Sequence, residues 1–137
     1  VSKPTVFHQF FTELKNADVT LATNDFVKYE LLKGSADTIK YQQKEKFIHG
    51  IIDVIIPVTP RSMELVYTLI REYGIDGTSL TLTDLLLGAM LVHYGKNISL
   101  LTRDTTDFIQ KVFELSSVVN IPYAKGIFTY GVYQYAK

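Results

Sequence analysis

The chain has 137 residues, 47% of them hydrophobic, which suffices for a sizeable core without disulfides or a structural metal. Its 14 Lys plus Arg balance 14 Asp plus Glu, which excludes a global field that steers the chain to nucleic acid, a membrane or an acidic partner, so any anion must be held locally. The absence of cysteine excludes a disulfide framework and thiolate metal sites, and the longest apolar run, Leu85 to Val92, is too short to span a bilayer. In chain order, Val6 to Leu14 has helical spacing, and VTLAT, Val19 to Thr23, reads as a strand. Asn24 then caps a helix, DFVKYELLKG, that stops at Gly34. A Lys-rich segment from Asp37 to Lys46 and a helical stretch lead into a second strand, DVIIPV, Asp53 to Val58. Pro60 suits the first turn of a helix that runs to about Tyr73. Gly74 and Gly77 bracket a loop, and Thr81 to Tyr94 makes a helix apolar nearly all round that Gly95 ends.

NISLLT is the third predicted strand, Asp104 to Leu115 the next helix, and SVVNIP, Ser117 to Pro122, the fourth strand. The aromatic tail, Gly126 to Ala136, suits a terminal strand or hairpin. Short β-like runs alternating with amphipathic helices predict one α/β domain on a mainly parallel sheet. No secretory segment opens the chain, so the expected location is cytoplasmic.

Four acids stand out. Glu30 falls between Phe26 and Val27 on the helical wheel, in the middle of an apolar stripe completed by Leu31, whereas a solvated carboxylate belongs on the other face. Thr81 and Asp84 fit the N-cap and N3 positions of a capping box, yet Asp84 shares its helix face with Gly88 and Leu91. Asp104 sits just past the end of NISLLT, where open parallel sheets bind ligands, and Asp107 comes at the third position of the predicted helix. If such acids converge, the shared negative charge demands protons or a cation, and carboxylate-only ligation favours magnesium or manganese. His8, His49 and His93 are scattered and read as core-edge or surface histidines.

Three segments, VTLATNDFVKYELLKG, TLTDLLLGAMLVHYG and ISLLTRDTTDF, resemble in order and spacing the later signature segments of PIN-domain ribonucleases, especially the VapC-type toxins. The resemblance implies a three-layer α/β/α fold with a mainly parallel central sheet. It assigns catalytic and metal-binding roles to Glu30, Asp84 and Asp104, with Asp107 as a further ligand, Thr102 assisting and Arg103 meeting substrate phosphate. The cofactor it implies is Mg2+ or Mn2+, and the activity is hydrolysis of RNA phosphodiester bonds. It further implies a homodimer and an antitoxin partner, with no membrane. One element departs from the family pattern, because nothing before Val6 looks like the hydrophobic strand ending in Asp-Thr/Ser-Asn that opens such sequences. VSKPT resembles the stretch directly after that element in family members, so the expectation is a domain trimmed of its first strand. The alternative function is a catalytically silent PIN-like binding or scaffold module.

Two secondary features have plainer readings. Lys40, Lys44 and Lys46 form a basic patch that reads as a solvated helix face. Tyr130, Tyr133 and Tyr135 suit packing or a subunit contact better than base stacking.

Overall fold

Short-range hydrogen bonds start most of the helices, and they can be traced along the computed structural model, which describes residues 4–74, 80–103, 112–123 and 125–136. Two compact units make up the chain, residues 1–57 and 58–137. In the first unit, helix α1 (Pro4–Asn16) closes with a Schellman arrangement in which the Val19 N–H bonds the Leu14 carbonyl and the Asp18 N–H bonds that of Lys15. Asp18 takes the left-handed backbone this requires, at φ 60. Because the Val19 amide is used in that cap, the expected strand VTLAT is shortened to β1 (Ala22–Thr23).

Asn24, fully buried, then accepts the Val27 N–H at 2.9 Å and starts α2 (Asp25–Lys33), and Asp37 starts α3 (Thr38–Ile51) by accepting the Lys40 N–H at 2.7 Å. Lys44 Nζ reaches back to the Leu31 carbonyl at 3.0 Å, tying α3 to the end of α2. Strand β2 (Val54–Ile55) pairs in parallel with β1, Ala22 opposite Val54. Leu32, Ile48 and Ile51 are the buried apolar side chains described in this unit.

The second unit opens with α4 (Pro60–Tyr73), where Pro60 comes after the N-cap Thr59 and Thr59 and Ser62 form a reciprocal capping box. Helix α5 (Leu82–Tyr94) starts at the N-cap Thr81 and ends at Gly95, whose positive φ of 57 suits glycine. A 3₁₀ turn (Gly95–Asn97) leads to β3 (Leu100–Thr102), then β4 (Phe113–Tyr123) and β5 (Gly126–Tyr135). The core joins Leu65, Val66 and Leu69 of α4, Leu85, Leu86, Ala89 and Leu91 of α5, Val112 just before β4, and Phe113 and Tyr133 from the sheet. Gly88 lets the layers close: a Cβ there would stand 3.0 Å from Leu69 Cδ1 and 3.1 Å from Phe113 Cζ.

The sheet corrects the expected three-layer α/β/α fold with a mainly parallel central sheet. Among the described residues the parallel part is the β1–β2 pair alone, and the larger sheet, in the order β3-β5-β4, is antiparallel throughout. The cause is the connection. Tyr123 pairs with Gly126, with two residues between them in the sequence, and so short a link can only join antiparallel neighbours. The helix predicted over Asp104 to Leu115 is corrected at its end, where Phe113 to Leu115 belong to β4; residues 104–111 lie outside the described residues.

The ladder slips once, between Leu115 and Ser117, so that Ser116 is an extra residue whose hydroxyl donates to the Val132 carbonyl at 3.0 Å. Before the slip Phe113 faces the core beside Tyr135, and after it Ile121, opposite Phe128, is buried on the other face.

Candidate functional site

Helix α2 carries the first predicted acid, and its burial differs from the sequence reading by one residue. The inward stripe is Val27, Lys28, Leu31 and Leu32, with Leu32 buried and the other three half-buried. The aliphatic stem of Lys28 takes a place that charge alone would put in solvent. The stripe is therefore rotated by one position, and Glu30 lies on the exposed side with Phe26, Tyr29 and Lys33. Lys33 Nζ stands 5.7 Å from the centroid of the Tyr29 ring.

Asp84 keeps the predicted position in the first turn of α5. The Thr81 hydroxyl accepts the Asp84 N–H at 3.3 Å and donates to Asp84 Oδ2 at 3.0 Å. The carboxylate is half-buried on a helix whose other faces bury Leu85, Leu86, Ala89, Met90 and Leu91. Oδ1 takes no hydrogen bond among the described residues, so one acceptor is left beside the positive end of the helix.

In the same unit, Thr102 ends β3 opposite Gly131, half-buried, and Arg103 comes next, exposed. Burial pushes the Tyr130 phenol above its ordinary value, while the nearby Arg103 guanidinium pulls the other way. Asp104 and Asp107 lie outside the described residues. Glu30 and Asp84 belong to different compact units. Among the described residues no three His, Asp or Glu side chains form a group that could hold a metal ion.

The remaining candidates have plain structural roles. Tyr133 is a core residue, Tyr135 packs against Phe113 with centroids 6.5 Å apart, and Lys44 is spent on the Leu31 carbonyl. His49 and His93 are exposed.

The titratable group that sequence reasoning missed is Asp53. Its Oδ2 accepts the Leu21 N–H at 2.9 Å, and its Oδ1 stands 3.2 Å from Lys15 Nζ. The Leu21 amide first, and then Lys15, hold the carboxyl below its ordinary value. An open depression of about 370 Å³ borders this residue, lined also by Lys28, Ile48, His49, Ile52 and β2. No local motif announced it, because the partners are 32 positions apart.

No family model, curated protein or solved structure matches the chain. No helix among the described residues is long and apolar enough to cross a membrane.

Proposed function

We propose that the chain is a metal-dependent endoribonuclease that hydrolyses phosphodiester bonds in RNA. The observation that carries the reading is Asp84, an acid in the first turn of an otherwise buried apolar helix, with one oxygen oriented by Thr81 and the other without a bond among the described residues. Supporting it, the chain of the same unit runs from β3 through Thr102 and Arg103 directly into Asp104. The donors are oxygens throughout, a set that suits hard divalent cations. Asp84, Asp104 and Asp107 would hold magnesium or manganese, whose chemistry is to activate water and to stabilise charge on phosphate. Thr102 would orient a ligand through its hydroxyl, and Arg103 would pair with substrate phosphate. A cytoplasmic location, a homodimer and a silencing antitoxin belong to the same reading.

The test is cleavage of generic single-stranded RNA with manganese by the full chain and by Asp84→Asn. The amide retains an acceptor for Thr81, so the cap survives while the charge is lost. Loss of a metal-binding charge lowers the rate by about a hundredfold or more with little change in melting temperature. Equal cleavage by both proteins overturns the assignment.

A further inference from the structure

The outward face of α2 has a composition that folding does not require. Phe26, Tyr29, Glu30 and Lys33 are spaced i, i+3, i+4 and i+7, which places them on one side of the helix, and all four are exposed. Tyr29 is 59% exposed although the opposite side of the same helix offers burial. The Lys33 ammonium, 5.7 Å from the ring centroid, favours one ring placement and puts a positive charge beside it. An exposed aromatic face with an adjacent cation matches the two parts of a nucleotide, a base that stacks and a phosphate that needs charge.

We propose that this face is a stacking platform for single-stranded RNA, with Tyr29 and Phe26 taking bases and Lys33 a backbone phosphate. The proposal rests on the RNA-substrate reading above and adds where the strand lies, next to Glu30. Duplex RNA buries its bases in the stack and would find nothing to pair with on these rings. The chain is neutral overall and Asp25 and Glu30 flank the rings, so stacking supplies the affinity and electrostatics contributes little. Affinity should therefore fall only gently with salt, with a logarithmic slope of about −0.7 for one phosphate.

The experiment measures binding of a labelled single-stranded RNA of about twelve nucleotides to the full chain by fluorescence anisotropy, in EDTA so that metal-dependent cutting is suppressed. Tyr29→Ala is expected to weaken binding about tenfold and Tyr29→Phe to stay within about twofold of the parent, because the ring and not the hydroxyl stacks. Lys33→Gln is expected to flatten the salt dependence. Both positions lie on an exposed face, and circular dichroism confirms that the variants are folded.

Unchanged affinity in Tyr29→Ala, equal binding of duplex RNA, or no binding by the parent overturns the platform. RNA held in EDTA but not cut with manganese overturns the nuclease and leaves the platform standing. Cleavage lost in Asp84→Asn while Tyr29→Ala binds like the parent overturns the platform alone.

Discussion

Asp53 and Leu21 grip each other twice: the Leu21 N–H donates to the Asp53 carboxylate at 2.9 Å, and the Asp53 N–H donates to the Leu21 carbonyl at 2.8 Å. The double contact brings the entrances of β1 and β2 together, and Lys15 adds the end of α1 through its ion pair with the same carboxylate. A sheet of two such short strands gains little from its own ladder, so these flanking bonds set its register.

Acid should loosen this clasp in a defined window. The Asp53 carboxyl is held below its ordinary value of 3.8, chiefly by the Leu21 amide and then by Lys15. A depressed carboxyl contributes stability above its unfolded value, and the contribution disappears as pH falls through the folded one. The melting temperature of the parent should exceed that of Asp53→Asn at pH 7, and the gap should close as pH drops below about 4. A gap that persists at the acid end contradicts the assignment.

Gly88 is predicted to resist even the smallest enlargement. Its Cβ would meet Leu69 and Phe113, both buried, at distances that force one of them to shift. Gly88→Ala normally gains helix propensity, yet here overpacking wins and the change costs about 1–3 kcal/mol. Urea denaturation checks the sign, and a stabilised variant would contradict it.

Asp18 turns the chain out of α1 at φ 60. A short polar side chain tolerates that backbone and a β-branched one does not. Asp18→Val is expected to cost about 1–2 kcal/mol, while Asp18→Asn stays close to the parent, as read from paired thermal melts.

Asn24 is fully buried and holds the Val27 amide in the first turn of α2. Replacing it with alanine leaves that N–H without its partner and removes the cap, at a cost of about 1–2 kcal/mol. Amide exchange should quicken first in the opening turn of α2, where Val27 donates.

Legibility in the sequence tracked the range of the deciding interaction. The starts at Asn24, at Pro60 and at Thr81, and the stop at Gly95, rest on geometry within a turn of the helix, and the structure has each of them. The direction of the larger sheet was not legible, because the β4–β5 pairing that decides it is long-range and the helical spacing around Phe113 competes with it. The stripe on α2 was misread by one position because Lys28 counts as polar in a pattern although its stem packs like an apolar residue. For the candidate site, the element under Glu30 and under Asp84 could be read, since Glu30 is on α2 and Asp84 opens α5. Side-chain direction was less legible, as the outward turn of Glu30 shows.

Ser116 leaves β4 with two phases of alternation, one keyed to Phe113 and the other to Ile121, eight positions on. The hairpin therefore tolerates a change of length at one place and not at its neighbours. Removing Ser116 would set Leu115 and Ser117 opposite Tyr133 and Val132 in unbroken alternation, with Ile121 still opposite Phe128 and only the hydroxyl bond to the Val132 carbonyl lost. Losing a residue between Ser117 and Ile121 would instead turn Ile121 to the opposite face.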